Sequence, residues 1–162
     1  MSNDALHTLS ILVANKPGVL VRISTIFSRR GFNIESLVVS ATQDGRFSRM
    51  TIVAKGDPET LDQIIKQVSK LVDVLQAAIP NSSSSIEKEL ALIKVTVDDE
   101  TRSQVLQLVQ HFKSQTVDIS DSSLVIQVTG NTDKLDACQR ALEKYGIIEL
   151  VRTGKILMTR GN

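Results

Sequence analysis

Tryptophan is absent from the sequence, and its 162 residues include only one tyrosine and four phenylalanines. Small RNA-binding domains built on a four-stranded sheet stack bases on aromatic side chains of their strands. The central strand predicted here offers Leu9, Ile11 and Val13 instead. This scarcity of aromatic side chains argues against a nucleic-acid partner.

Cysteine occurs once, at Cys138, so no disulfide can form within the chain and a reducing compartment is expected. Its helical spacing from Leu135 and Leu142 predicts a buried thiol and not a nucleophile. A net charge of +1 excludes a long-range field that would draw the chain to nucleic acid or membrane. No apolar run approaches a membrane span, and residues 1–4 lack a signal-peptide pattern. We therefore expect a cytoplasmic protein without a membrane partner.

Motifs for catalysis and for metal binding are also missing. The sequence contains no P-loop, no dinucleotide fingerprint and no Gly-x-Ser-x-Gly. His7 and His111 have no cysteine or acidic partners at metal-ligand spacing, and the carboxylates of residues 98–100 fit a helix N-terminus. We predict no catalytic residue and no metal site in this chain.

Arginines are grouped in the first half of the sequence. We interpret them as charges of a solvated helix face and of strands, in preference to a phosphate-binding patch. The group consists of Arg22, Arg29, Arg30, Arg46 and Arg49.

The sequence does contain a repeated order of elements. In the first half, apolar residues mark four strands and recur at helical spacing along two helices. Pro17 is predicted to open the first helix and Gly31 to end it, while Asp57 caps the second helix. The predicted elements are a strand over 7–14, a helix over 17–30, strands over 33–42 and 47–54, a helix from 58, and a strand near 72–79.

A serine-rich stretch without apolar periodicity, residues 81–87, is predicted to be a linker. Beyond it the same order of elements returns, with a helix that Thr132 and Asp133 can cap and that Gly146 ends. The strands of this half are predicted to end at 97, to cover 116–120 and 124–129, and to finish as pieces over 147–151 and 155–159. The pattern predicts an α+β fold of two ferredoxin-like βαββαβ domains, residues 1–80 and 88–162, each an antiparallel sheet with helices on one face.

The turn between the first strand and the first helix, residues 15–18, is the candidate binding site. A helix N-terminus offers free N–H groups and a positive dipole end, which suit a carboxylate, and Gly18 leaves the backbone open. Asn33, which opens the second strand, could hold an ammonium group. An aliphatic lining for a short branched side chain is predicted from Val19, Leu20, Ile34 and Leu37. The pattern favours a small zwitterion, although such a turn can also have no ligand at all.

Two motifs carry a resemblance to a known family. The turn Asn-x-x-Gly-x-Leu at 15–20, followed by Arg-Gly-Phe-Asn-Ile-Glu-Ser-Leu at 30–37, resembles the ACT domain of the acetolactate synthase (acetohydroxyacid synthase) small subunit. The similarity continues through 48–52 and 70–75. In the second half it includes 89–95, 134–137 and 152–154, so it spans nearly the whole chain.

The resemblance implies a non-catalytic regulatory subunit of branched-chain amino acid biosynthesis. Such a subunit forms a homodimer and binds a large catalytic subunit that carries thiamine diphosphate, magnesium and FAD, while this chain itself holds no cofactor. It raises the activity of the large subunit and makes it sensitive to feedback inhibition by valine, in some members by isoleucine or leucine.

The resemblance also implies where the effector binds. The residues on one chain of the dimer would be Asn15, Gly18, Val19 and Leu20, and those on the other chain Asn33 and Ile34. Two alternatives remain at this point: a tandem ACT-type amino-acid sensor in gene regulation, and a small enzyme of ferredoxin-like fold.

Overall fold

The structure, a computed structural model, describes residues 5–161. Its contacts divide these residues into two compact units. The first unit contains the residues up to Ile86 together with those from Leu157 onwards, and the second runs from Glu87 to Ile156.

The first unit is a βαββαβ arrangement. Its elements are β1 (Ala5–Ala14), α1 (Val19–Arg29), β2 (Asn33–Ala41), β3 (Phe47–Gly56), α2 (Pro58–Ser69) and β4 (Val74–Ala78). The strands form an antiparallel sheet in the order β2-β3-β1-β4. Alternation along β1 buries Leu9, Ile11 and Val13 in one core with Ile23 and Phe27 of α1.

The two helices of the first unit begin differently. Asp57 caps α2 because its carboxylate accepts a hydrogen bond from the N–H of Thr60 at 2.9 Å, as the sequence predicts. The predicted start of α1 at Pro17 is wrong by two residues. Gly18 is the N-cap, in the left-handed region at φ 85°, and the helix begins at Val19. Pro17 and Gly18 therefore belong to a turn before the helix.

The second unit repeats the arrangement. A single 3-10 turn over Ser82–Ser84 precedes β5 (Ser85–Thr96), α3 (Thr101–His111), β6 (Gln115–Ile119), β7 (Ser123–Gly130), α4 (Thr132–Glu143), β8 (Ile147–Arg152) and β9 (Ile156–Thr159). The sheet has the order β6-β7-β5-β8, with β9 also paired to β5. Its core contains Ile93, Val105, Ile126 and Leu135. The predicted fold of two βαββαβ units with antiparallel sheets is therefore confirmed.

The cap of α4 differs from the prediction. Asn131 accepts a hydrogen bond from the N–H of Lys134 at 3.0 Å, so Thr132 is already the first helical residue. An asparagine before the periodic residues serves as well as the predicted threonine or aspartate, because all three present a side-chain oxygen.

The last strand is grouped by its contacts with the first unit. Residues 88–162 are predicted to form one domain, and within them the segment from Leu157 groups with the first unit by its contacts. The N–H of Arg160 donates to the carbonyl of Ser84 at 2.6 Å, just before β5. β9 also pairs with β5. The linker predicted over residues 81–87 overlaps β5, because that strand already begins at Ser85.

Candidate ligand-binding site at the first turn

Backbone hydrogen bonds fix the turn between β1 and α1. The N–H of Asn15 donates to the carbonyl of Arg46 at 2.8 Å, and the Asn15 side-chain amide donates to the carbonyl of Gly45 at 3.0 Å. On the other side, the N–H of Ala14 donates to the carbonyl of Asp73 at 2.7 Å. The turn is thus held between the β2–β3 loop and the start of β4. Asn15 is a structural residue whose side-chain oxygen accepts no hydrogen bond from any described residue.

The N-terminus of α1 is open. Its N-cap is a glycine, so no side chain accepts a hydrogen bond from the first turn, and that turn contains no acidic residue. The first N–H groups of a helix have no acceptor within the helix and carry the positive end of its dipole. These groups at Gly18 and Val19 are therefore suited to bind a carboxylate, as the sequence analysis predicts.

Charged side chains surround this helix end. Asp73 forms ion pairs with Lys16 at 3.6 Å and with Arg22 at 3.1 Å, and its side chain is only 12% exposed. Two cations thus face one carboxylate, beside a helix N-terminus that is itself positive. The surplus of positive charge favours an anionic group at the turn.

A small cavity of about 90 Å³ opens beside the turn. One water needs roughly 10–15 Å³ of such space, so the cavity has room for a small aliphatic group. Its lining is Val13, Ala14, Asn15, Lys16, Val19, Leu20, Val39, Ser48 and Met50. Three of the predicted site residues, Asn15, Val19 and Leu20, therefore lie together.

The sheet side of this cavity consists of residues that are not predicted from the sequence. Val39 on β2 pairs with Met50 on β3, and Ser48 pairs with Val13 on β1, so all four side chains point to the same face of the sheet. Val39 is 42% exposed, which leaves it free to contact a ligand. Ser48 supplies a hydroxyl that makes no hydrogen bond to any described residue. Only the strand register, which the sequence does not give, would have pointed to these residues.

Asn33 lies at the other end of the sheet from the turn. It pairs with Lys55 of β3, whereas Ala14 at the turn pairs with Phe47, eight residues earlier on the same strand. At a rise of about 3.3 Å per residue the two ends are about 26 Å apart. Within one chain the structure does not bring Asn33 and the turn together.

The surroundings of Asn33 and Ile34 are local. The Asn33 amide donates to the Glu35 carboxylate at 2.7 Å, and its side-chain oxygen accepts nothing from the described residues. Ile34 and Leu37 pack against the core of the first unit, so within one chain they do not line the turn cavity. That part of the predicted aliphatic lining is wrong for a single copy.

Groups with catalytic potential are separate from this turn. Within residues 5–161 no cluster of three or more His, Cys, Asp or Glu side chains could hold a metal ion. The His7 ring hydrogen-bonds the carbonyl of Gly56 at 3.0 Å. Cys138 is buried as predicted, and burial raises the pKa of its thiol, which disfavours the nucleophilic thiolate. None of the described helices is long and apolar enough to cross a membrane.

Comparison with known proteins first shows the class of protein to which the chain belongs. The first unit, over residues 9–76, matches a family model described as "AHAS small subunit-like ACT domain". Together with the repeated βαββαβ order, this defines a protein of two ACT-type units.

The family follows from the whole chain. Residues 88–161 match a family model described as "Small subunit of acetolactate synthase". The acetolactate synthase small subunit of Mycolicibacterium smegmatis is 48% identical over 99% of this chain and 95% of its own length. A probable acetolactate synthase small subunit of Archaeoglobus fulgidus is 47% identical over 96% and 98%. The crystal structure of the Thermotoga maritima small subunit superposes with a TM-score of 0.85 at 39% identity, covering 98% and 99% of the two chains. The chain belongs to the acetolactate synthase small subunit family.

Proposed function

We propose that this chain is the non-catalytic regulatory subunit of an acetolactate synthase. It binds and activates the large catalytic subunit and makes that subunit sensitive to feedback inhibition by valine. The chain acts in branched-chain amino acid biosynthesis in the cytoplasm. The thiamine diphosphate, magnesium and FAD of the reaction belong to the large subunit. The observation that carries the proposal is the open N-terminus of α1 beside a small apolar cavity.

Valine matches the chemistry of this turn. Its carboxylate would accept hydrogen bonds from the first N–H groups of α1, at Gly18 and Val19, near Lys16. Its isopropyl group would contact Leu20 and Val39 at the cavity mouth. A ligand with a larger side chain would meet the limit of about 90 Å³, which supports a short branched side chain.

The ammonium group requires an acceptor, and the proposal assigns this role to the side-chain oxygen of Asn33 in a second copy, with Ile34 beside it. One chain cannot place Asn33 and its own turn on a single valine, because they lie about 26 Å apart along β3. A homodimer would complete the site if the turn of one copy faced the start of β2 in the other copy. Regulation would then depend on assembly.

Reconstitution tests the proposed function directly. The purified chain is mixed with the large subunit, and acetolactate formation from pyruvate is measured with and without valine. We expect the rate to rise on addition of the chain and to fall again when valine is added. The large subunit alone should respond to neither valine nor isoleucine.

A matched variant separates activation from sensing. Val39→Phe should fill the cavity mouth, and it should therefore activate the large subunit normally while abolishing inhibition by valine. Full inhibition of that mixture by valine would contradict the proposed site. Absence of any activation by the wild-type chain would contradict the proposed function itself.

A further inference from the structure

A second cavity, of about 420 Å³, lies in the first unit on the sheet face opposite to the turn cavity. Its lining includes Ser10 of β1, Arg49 of β3, and Gln76 and Ala78 of β4. Leu157 and Thr159 of β9, which group with the first unit, form a further wall. Ligand cavities commonly have volumes of roughly 300–1,000 Å³, so this one is large enough for a small molecule.

Strand alternation places this cavity away from the core. Ser10 lies between the core residues Leu9 and Ile11, and Arg49 lies between the buried Ser48 and Met50. Since successive side chains of a strand point to opposite faces, Ser10 and Arg49 face away from the helices. The cavity therefore lies on the opposite face of the sheet from the proposed valine site.

Arg49 has unused hydrogen-bonding capacity. The residue is half-buried, and its guanidinium makes one hydrogen bond, from Nη1 to the Ser10 hydroxyl at 3.1 Å. A guanidinium has five N–H donors and is always charged. Among the described residues no carboxylate forms an ion pair with Arg49, in contrast to Arg46, which pairs with Asp44. The two arginines belong to one group in the sequence but have different partners in the structure.

The lining defines the chemistry of a ligand. Arg49 is the single charged side chain of the lining, and Ser10, Gln76 and Thr159 are neutral and polar. One cation in a half-enclosed cavity complements one negative charge, and the planar guanidinium fork matches a carboxylate. Ser85 is also neutral and polar, and the apolar wall consists of Ala78, Pro80, Leu157 and Met158. This wall would contact a short aliphatic chain.

We propose that the cavity around Arg49 binds a small organic monocarboxylate, with the carboxylate on the guanidinium and the aliphatic part against β9. The binding site is distinct from the turn that begins at Asn15. Butyrate is the simplest probe, because it combines one carboxylate with a short aliphatic chain and lacks the ammonium group of an amino acid.

The test is a titration of the isotope-labelled full chain, followed through backbone amide NMR signals at constant ionic strength. Sodium butyrate should give saturable shifts at Ser10, Arg49 and Ala78. Butan-1-ol, which has the same chain without the charge, should give no saturable shifts. Inorganic phosphate should bind more weakly than butyrate, because it gains nothing from the apolar wall.

Two variants decide the role of the guanidinium. Arg49→Gln should weaken butyrate binding at least tenfold, because a hydrogen-bonded charge partner is lost. Arg30→Gln removes the same charge from the exposed C-cap of α1, where the arginine donates a hydrogen bond to Gln63, and should leave the affinity unchanged. If Arg49→Gln does not fold, Ser10→Ala replaces it, since it removes the hydroxyl that holds the guanidinium. Equal butyrate affinity in wild type and variant, or saturable binding of butan-1-ol at the same amides, would overturn the proposal.

Discussion

The guanidinium of Arg152 forms two parallel hydrogen bonds with the carboxylate of Glu89, at 2.9 and 3.0 Å. The Glu89 side chain is only 7% exposed. The hydrogen bonds that Arg152 donates to Glu89 hold the pKa of Arg152 above its usual range, with a further contribution from Asp136 on α4. The pair thus ties β8 to β5 inside the second unit.

Replacement of Arg152 by methionine should destabilise the second unit strongly. It leaves the buried Glu89 carboxylate without its partner, and such breaks cost about 3–5 kcal/mol. Urea unfolding followed by circular dichroism measures the loss. Lys66→Met breaks an exposed pair with Asp62 and should cost less than about 1 kcal/mol. A similar small loss in both variants would mean that the Arg152 pair contributes little.

Acid should weaken the first unit partly through Asp57. Hydrogen bonds from Thr60 lower the pKa of this carboxyl below its ordinary value near 3.8. Because the pKa is lower in the folded state, Asp57 stabilises the fold above pH 3.8, and this stabilisation is lost as the pH falls through the folded-state value.

The variant Asp57→Asn isolates this contribution. Asparagine caps a helix about as well as aspartate but does not titrate, so stability at pH 7 should change little and the decline below pH 4 should be shallower. Thermal unfolding between pH 7 and pH 2.5 checks this. Asp62→Asn, on the same helix, is the control variant, because the exposed carboxylate that it removes caps no N–H group. Identical acid profiles for Asp57→Asn and wild type would contradict the prediction.

Val39 is predicted to control valine affinity. Val39→Phe places a ring at the mouth of the turn cavity and should weaken valine binding by at least tenfold in calorimetry. Val72→Phe, at a position that is 91% exposed and outside the lining, is the matched control and should bind valine normally. Val39 is preferable to Gly18 for this test, because φ 85° at Gly18 makes any side chain strained. Unchanged affinity in Val39→Phe would exclude the cavity as the valine site.

Asn33 should also contribute to valine affinity, through the second copy. Asn33→Ala removes an acceptor for the ammonium group, and hydrogen bonds to charged groups contribute roughly 1.5–3 kcal/mol, or about tenfold or more in affinity. Gln43→Ala removes an exposed amide from the β2–β3 loop and should have no effect. If calorimetry gives the same valine affinity for Asn33→Ala and Gln43→Ala, Asn33 is excluded from the site.

Valine should strengthen the dimer if two copies share it. A ligand that binds only the assembled form stabilises it by about 2.7 kcal/mol at a hundredfold excess over its Kd. Sedimentation at several protein concentrations should therefore show a lower dimer dissociation constant with valine. A constant that does not change at saturating valine would place each site within one chain.

The order of elements could be predicted from the sequence, because it depends on local periodicity and caps such as Asp57. The side of the sheet to which each β2 side chain points could not be predicted from the sequence. Ile34 and Leu37 are three residues apart, so regular alternation would place them on opposite faces. A register shift between Ile34 and Ser36 lets both pack on the core and brings Val39 to the same face as Met50. Such a bulge depends on pairing with β3, which is not a local property.

The return of β9 to the first unit has a consequence for synthesis in the cell. Leu157 to Thr159 follow all residues of the second unit in the chain, yet they complete the first. Domains generally fold in order as the ribosome releases them. Here the first unit leaves the ribosome without one wall of the Arg49 cavity, and a stalled or prematurely ended chain lacks that wall even when β1 to β8 are present. Translation to the last strand is therefore a requirement for the complete cavity.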